Sequence, residues 1–266
     1  GSLWTPPPSR AESGNTSVGY DVYDRFDLGA TGNSTLYGTE RSIKAMVAET
    51  HRWGGRIYSD LILNHNGFAT RFNPGFTASG GYPGFAITRG DDIDGDFHQQ
   101  NYTGSDPFLE RISGLIDIAQ EKNYQYIRNP VPGFAGNLPA GTSTFNGRTA
   151  NIANESNRRF YPDQALGGTT YFDPTTGSNV TVYDFNTANP AAGDPVMENG
   201  QNYLMRHARW MVQEVGFDGF RLDAVKHFPP AVLNELDRQV WKSIKTPLLN
   251  GQQQHVFSFS EMFDGN

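Results

Sequence analysis

Hydrophobic positions recur along the chain with two different spacings. Over residues 39–55 they return every three or four positions, which predicts a helix that Thr39 caps and Gly54 ends. Residues 56–64 are then apolar almost throughout, as in a strand buried on both faces of a parallel sheet. The same succession returns later, with helices predicted over 196–215 and from Pro229 onwards, and strands over 217–223 and 255–261. Repeated strand and helix predicts a parallel sheet, either open or closed.

The middle of the chain, residues 67–195, has a different character. It is rich in Gly, Asn, Asp, Thr and Pro, and it shows little periodicity apart from a helical spacing over 109–119. A loop of this length without structure is uncommon in a compact domain. We therefore interpret this stretch as an inserted subdomain that separates residues 1–66 from residues 196–266.

Composition and charge exclude several classes of protein. The 266 residues carry 21 Lys and Arg against 28 Asp and Glu, a net charge of −7 with no basic block, which argues against binding to nucleic acid. No segment approaches the roughly 20 apolar residues that cross a bilayer, so we expect no membrane span. The chain has no cysteine, which excludes disulfides, thiolate catalysis and Cys–zinc sites.

Polar side chains stand at the ends of three predicted strands. Asn64 and His65 end the first, Arg221 and Asp223 end the second, and Glu261 ends the third. In a β/α barrel the carboxyl ends of the strands meet in one mouth, where active sites lie. We therefore expect these side chains to converge although they are far apart in sequence.

Two of these carboxyl groups could work as a pair. Arg221 and Asp223 share a face of their strand, and we expect their ion pair to lower the pKa of Asp223 and keep it ionised. Glu261 stands among apolar side chains that could desolvate it and hold its proton near neutral pH, namely Phe257, Phe259, Met262 and Phe263. One ionised and one protonated carboxyl can together hydrolyse a glycosidic bond.

Each feature also has a structural explanation when it is taken alone. An arginine and an aspartate two positions apart are most often an ordinary ion pair, and Asn64 with His65 could form a turn. Phe257 and Phe259 alternate as core residues do, and core packing is the better interpretation of both. The constellation carries more weight than its parts, because three successive strand ends carry it in order.

Taken in order, these motifs resemble the signatures of the α-amylase family of retaining glycoside hydrolases (glycoside hydrolase family 13). The matching segments are Trp4-Thr-Pro-Pro-Pro, Gly19-Tyr20-Asp-Val-Tyr23-Asp24, Asp60-Leu-Ile-Leu-Asn64-His65, Val182-Tyr-Asp184-Phe-Asn186, Gly216-Phe-Asp-Gly-Phe-Arg221-Leu-Asp223-Ala-Val-Lys226-His227 and Phe259-Ser-Glu261-Met-Phe. The resemblance implies an α/β fold, a partial (β/α)8 TIM barrel with about strands 2–5. Residues 1–66 and 196–266 would then form barrel domain A without its C-terminal strands. Residues 67–195 would form an irregular, β-rich domain B inserted after strand 3.

The resemblance also implies roles for individual residues. Asp223 is similar to the catalytic nucleophile and Glu261 to the general acid/base. The implied contacts with substrate are Tyr20 as an aromatic platform, His65 and Arg221 at the cleavage point, and Lys226 and His227 near the aglycone side. Calcium-dependent relatives hold a structural Ca²⁺ through positions that match Asn64, Asp184 and the main-chain carbonyl of His227. A further carboxylate from the insert is usual, and Asp163 and Asp173 are both open for that role.

The implied activity is that of an α-amylase, which cleaves internal α-1,4-glucosidic bonds of starch- or glycogen-type α-glucans. Alternatives are a related transglycosylase, an exo-acting α-glucosidase, and a non-catalytic carbohydrate-binding relative or inactive fragment. We expect an extracellular protein that is a monomer when complete. Two departures from the family pattern stand out: Val18 replaces a common His, and the His-Asp signature of the seventh strand does not occur before Asn266. We therefore expect the 266-residue chain alone to hydrolyse starch negligibly.

Overall fold

The computed structural model describes residues 1–29, 31–68, 82, 84–85, 96–98, 107–108, 114–122, 126–127, 144–145, 148–149, 168–173, 178–183, 197–247 and 251–262. The strands are β1 Ser2–Thr5, β2 Arg10–Ala11, β3 Val22–Asp24, β4 Arg56–Leu61, β5 His65–Gly67, β6 Phe97–His98, β7 Leu115–Ile118, β8 Tyr126–Ile127, β9 Thr144–Phe145, β10 Arg148–Thr149, β11 Gly168–Asp173, β12 Ser178–Tyr183, β13 Met197–Glu198, β14 Gly219–Leu222, β15 Lys245–Pro247, β16 Gln253–His255 and β17 Phe257–Ser260. The α-helices are α1 Glu40–Arg52, α2 Gly200–Trp210 and α3 Pro230–Leu236.

Four parallel strands form the main sheet, in the order β1-β4-β14-β17. The sheet therefore joins all three strands predicted from apolar runs, together with a strand at the start of the chain. Cross-strand pairs bring Asp60 of β4 opposite Arg221 of β14, and Arg221 opposite Phe259 of β17. This parallel arrangement agrees with the predicted partial barrel, and its carboxyl ends lie along one edge, as the site requires.

The predicted helices are present, with changes at their ends. Thr39 caps α1 through a reciprocal pair of hydrogen bonds with Ser42, as a capping box does. The second helix begins at Gly200 rather than near 196, because Met197–Glu198 pairs with β8 as a strand. Its last turn, Met211–Val215, is π-helical and ends at Gly216, whose φ of 98° suits only glycine without strain. Among the described residues, no helix is long and apolar enough to cross a membrane.

The helical spacing over 109–119 was a wrong prediction for the part that the structure describes. Residues 115–118 form strand β7, which pairs antiparallel with β5 on one side and β6 on the other. Ile116 and Ile118 are buried in the core through this pairing. Contacts with two distant strands therefore decide the conformation of a segment whose local spacing favours a helix.

The two faces of the main sheet have different surroundings. One face packs against the helices and buries apolar side chains such as Ile57, Phe220 and Leu222. The opposite face carries Phe257 and Phe259, which are 52% and 42% exposed. Core packing was therefore a wrong interpretation of these two phenylalanines, because strand alternation directs them away from the helices.

Candidate active site

Arg221 joins three carboxylates at the carboxyl ends of three neighbouring strands. Its Nη1 lies 3.1 Å from Asp60 Oδ2 and 2.9 Å from Asp223 Oδ1, and its Nη2 lies 2.6 Å from Glu261 Oε2. The main chain fixes the strand ends as well, since the Glu261 amide donates to Leu222 O at 2.9 Å. The structure thus brings together the two carboxyl groups and the arginine that the sequence singled out.

The pKa of Asp223 departs from the predicted direction. The ion pair with Arg221 forms as expected, but burial raises the pKa from its ordinary value of 3.8 to about 6. Arg221 opposes this shift, whereas the neighbouring charges of Glu261 and Asp60 add to it. Desolvation and two like charges therefore outweigh one cation. Asp223 is ionised above about pH 6 and neutral below it.

The Glu261 side chain is 45% exposed, which contradicts the predicted desolvation. Its apolar neighbours Phe257, Phe259 and Met262 are exposed too, so they do not enclose the carboxyl group. Phe263 lies outside the described residues. Strand β17 lies at the edge of the main sheet, and among the described residues no further strand pairs with its free edge.

Asp60 holds the aromatic side of the site together. Its fully buried carboxylate accepts hydrogen bonds from Trp4 Nε1 at 2.8 Å, from the Tyr20 hydroxyl at 2.5 Å and from Arg221. Burial raises the pKa of Tyr20, and the hydrogen bond to Asp60 adds to the shift, so the phenol stays protonated. The sequence motif that contains Asp60 did not identify it as a site residue. Only the strand pairing shows that Asp60 on β4 lies directly opposite Arg221.

His65 is buried and contacts the main chain of Tyr20. Its Nε2 lies 3.1 Å from Tyr20 O, and because a carbonyl only accepts, Nε2 carries the proton. Burial, helped by the nearby charge of Arg25, lowers the pKa of His65 to about 3, so the ring is neutral. Nδ1 is then an acceptor, and no described residue donates a hydrogen bond to it.

Lys226 and His227 lie in a short 3₁₀ turn, Val225–His227, directly after β14. The turn follows Ala224, whose φ of 54° is left-handed. His227 Nδ1 donates to Pro107 O at 2.8 Å, which ties the turn to a residue of the predicted insert. Neither Lys226 nor His227 is among the residues that Arg221 gathers.

The predicted calcium ligands can be tested in part. Asn64 lies beside Asp117, whose pKa its side chain lowers. Within the part of the chain that the structure describes, Asn64 Oδ1 and Asp117 Oδ1 are buried and accept no hydrogen bond of normal geometry. Burial raises the pKa of Asp117 to about 7, although His98, 2.7 Å from its other oxygen, opposes the shift. Two buried oxygen atoms that face each other's residue and accept no hydrogen bond from the described residues fit a hard cation.

The side chains of the other predicted carboxylates are not described. Asp184 and Asp163 lie outside the described residues, and so does the side chain of Asp173. Within the described ranges no cluster of three or more His, Asp or Glu side chains could hold a metal ion. Asp117 was missed because the helical spacing placed it on a helix. An acidic residue between Ile116 and Ile118 was the available signal.

Curated proteins similar to the chain include a maltohexaosidase and an alpha-amylase. The chain is 25% identical over 236 residues to a glucan 1,4-alpha-maltohexaosidase of Bacillus sp. (strain 707), covering 85% of this chain and 39% of the relative. It is 26% identical over 263 residues to an alpha-amylase of Geobacillus stearothermophilus, covering 92% of this chain and 40% of the relative. The chain thus spans less than half the length of these curated relatives. No model of a protein family matches it.

A solved structure shows the same fold. The alpha-amylase of Geobacillus thermoleovorans, complexed with acarbose, matches all of this chain and 37% of its own with a TM-score of 0.50 and 17% identity. At that identity the likeness concerns the fold alone, and that fold is the barrel of the α-amylases. The order of the motifs, the similarity in sequence over most of the chain and the shared fold agree, and the chain is related to the α-amylase family.

Proposed function

We propose that this chain supplies the nucleophile and the general acid/base of a retaining glycoside hydrolase that cleaves internal α-1,4-glucosidic bonds of α-glucans. The observation that carries the proposal is the convergence of Asp60, Asp223 and Glu261 on one guanidinium at the carboxyl ends of adjacent strands. Active sites of β/α barrels lie at this end. The names of the relatives support the choice of an α-glucan as substrate.

In the proposed reaction Glu261 protonates the glycosidic oxygen while Asp223 attacks the anomeric carbon. Water that Glu261 activates then releases the sugar with retained configuration. Asp223 and Glu261 bind opposite nitrogens of the same Arg221 group, which supports the short carboxyl separation of about 5–5.5 Å found in retaining enzymes. Glu261 must leave its ion pair with Arg221 to carry a proton, and its exposure allows that movement.

The remaining side chains would bind and orient the sugar. Tyr20 presents a ring held by Asp60, and the neutral His65 offers Nδ1 as an acceptor for a sugar hydroxyl. Lys226 and His227 would contact the aglycone side. Bound Ca²⁺, held by Asn64 and Asp117 together with the carbonyl of His227, would tie the insert to the sheet and take no part in bond cleavage.

Because we expect the 266-residue chain alone to hydrolyse starch negligibly, the test places these residues in a protein that also carries the C-terminal barrel strands. That protein is compared with its Asp223→Asn and Glu261→Gln variants on soluble starch, with product sizes followed by chromatography. We expect a mixture of linear oligosaccharides from the unmodified protein and a loss of at least about 10³-fold in either variant, since both groups act in the bond-breaking steps. Glu235→Gln is the matched control, because the contacts of Glu235 are an ion pair with Arg238 and a hydrogen bond from Gln239, both away from the site, and the variant should keep full activity.

Added azide separates the two carboxyl roles. In Glu261→Ala it should accept the sugar from the covalent intermediate and give an α-glycosyl azide. In Asp223→Ala it should replace the nucleophile and give the β-anomer. Cyclic products would favour the transglycosylase, and glucose alone would favour the exo-acting enzyme. If the unmodified protein binds maltooligosaccharides in calorimetry but Glu261→Gln changes no rate, the non-catalytic relative is the better interpretation.

A further inference from the structure

Arg25 is a fully buried arginine whose hydrogen bonds surround the exit of strand β4. Its Nη2 donates to His65 O at 2.7 Å and to Ile62 O at 3.1 Å, and its Nη1 donates to Asn66 Oδ1. Nε also faces Ile62 O, at 3.3 Å. All of these acceptors are neutral, so the guanidinium serves main-chain and amide oxygens rather than a carboxylate.

We infer that Arg25 is a positioning residue that holds the segment from Ile62 to Asn66 so that His65 keeps its hydrogen bond to Tyr20 O. The inference rests on the proposed function, in which His65 contacts the sugar. Arg25 is on neither the strand nor the loop that it fixes, and its role therefore follows from the structure rather than from any sequence motif.

The geometry shows why this segment needs an external donor. Ile62 follows the last residue of β4 and His65 begins β5, so the chain turns between two strands of different sheets. The carbonyls of Ile62 and His65 are satisfied by one rigid, planar group, which fixes their separation and orientation. A buried carbonyl left without a donor is costly, so the turn has one favoured conformation only while Arg25 is in place.

The other contacts of Arg25 keep the guanidinium itself in place. Its group lies 5.2 Å from the centre of the Phe85 ring, a cation–π contact with a residue of the predicted insert. Its carbonyl accepts from Ser9 Oγ at 2.9 Å. The side chain of Arg25 therefore connects the exit of β4 with the insert, and its main chain is bound to the start of the chain.

The test uses Arg25→Met and Arg25→Lys with Arg10→Met as the matched control. Arg10 is another buried arginine that donates to two carbonyls, Ser34 O at 2.9 Å and Asn33 O at 2.6 Å. Unlike Arg25 it also pairs with a buried carboxylate, Asp27, at 3.0 Å, and none of these contacts is at the exit of β4. In the same protein that carries the C-terminal barrel strands, we expect kcat/KM on starch to fall at least about 10-fold in Arg25→Met and less in Arg25→Lys. Arg10→Met should keep the activity per folded molecule.

A double variant distinguishes positioning from a general loss of stability. If Arg25 acts through His65, then Arg25→Met combined with His65→Gln should be no slower than His65→Gln alone, within about twofold. If the decreases in kcat/KM of the two single variants instead multiply in the double variant, the inference is overturned. Measurements below the unfolding temperature of each variant keep the comparison to folded protein, and Arg25→Lys retains the test if Arg25→Met does not fold.

A readout without turnover separates this inference from the proposed function. The Nε2 proton of His65, protected by its bond to Tyr20 O, should give a slowly exchanging imidazole signal that is absent in His65→Gln. We expect Arg25→Met to lose this signal and Arg10→Met to keep it. Retention of the signal in Arg25→Met overturns the positioning role. An unmodified protein that shows the signal but neither binds nor cleaves an α-glucan overturns only the proposed function.

Discussion

Replacing the proposed nucleophile should stabilise the protein, and by an amount that depends on pH. Burial raises the pKa of Asp223 to about 6 from an ordinary value of 3.8, so the folded state holds the proton more tightly than the unfolded state does. At pH 3 both states carry a neutral Asp223. At pH 8 the folded protein must keep a buried negative charge that the unfolded chain would leave in water.

The magnitude follows from the shift. About two pKa units correspond to a folding penalty of about 3 kcal/mol, which is absent below pH 3.8, grows between pH 3.8 and 6, and is complete above. Asp223→Asn removes the charge but keeps the shape, so it should raise the free energy of unfolding by about 3 kcal/mol at pH 8. At roughly 2–3 °C per kcal/mol for a chain of this size, the melting temperature should rise by about 6–9 °C.

Calorimetric melting at pH 3.5 and pH 8 tests this reasoning. The difference between Asp223→Asn and the unmodified protein should be close to zero at the lower pH and appear in full at the higher pH. Asp237→Asn is the control, because Asp237 forms a surface ion pair with Lys242 and should change stability by less than about 0.5 kcal/mol at either pH. Equal differences at both pH values, or a destabilised Asp223→Asn at pH 8, would refute the electrostatic account.

Three further predictions concern the scaffold and the metal. Leu222→Ala empties a fully buried position and should lower the free energy of unfolding in urea by about 2–5 kcal/mol; a loss under 1 kcal/mol would contradict the packing. Gly216→Ala forces a φ of 98° on a side chain whose Cβ lies 3.1 Å from Val47, and should cost about 1–2 kcal/mol in the same assay, whereas no loss would argue against the left-handed cap. Removing Ca²⁺ with EDTA should lower the melting temperature, and Asn64→Ala should abolish that effect. An unchanged EDTA effect in this variant would exclude Asn64 as a ligand.

Local patterns were sufficient for the parts of the fold that depend on local chemistry. The cap at Thr39, the stop at Gly216 and the apolar run of β4 follow from side-chain hydrogen bonding, backbone freedom and burial on both faces. Strand β7 could not be predicted in this way. Its residues fit a helical spacing as well as a strand, and only pairing with β5 and β6 decides between the two.

The candidate site, too, could be predicted from the sequence only in part. The order of strand ends predicted that Arg221, Asp223 and Glu261 would meet, because parallel strands place their carboxyl ends together. The protonation of Asp223 depends on how deeply it is buried and on Asp60, which is 163 positions away in sequence and adjacent in space. The local sequence shows only the ion pair between Arg221 and Asp223. That ion pair lowers the pKa of Asp223, and its effect is smaller than the effect of burial, which raises it.

The balance of charge around Arg221 connects the stability of the site to its proposed chemistry. Three carboxylates share one guanidinium, so the cluster holds more negative charge than its cation neutralises, and this excess adds to burial in raising the pKa of Asp223. In the proposed reaction the sugar ring gains positive charge as the glycosidic bond breaks. This positive charge would compensate the excess negative charge of the carboxylates around Arg221. The same excess charge that destabilises the fold above about pH 6 would therefore stabilise the transition state. Stability gained by Asp223→Asn and activity lost by it should therefore have the same electrostatic origin.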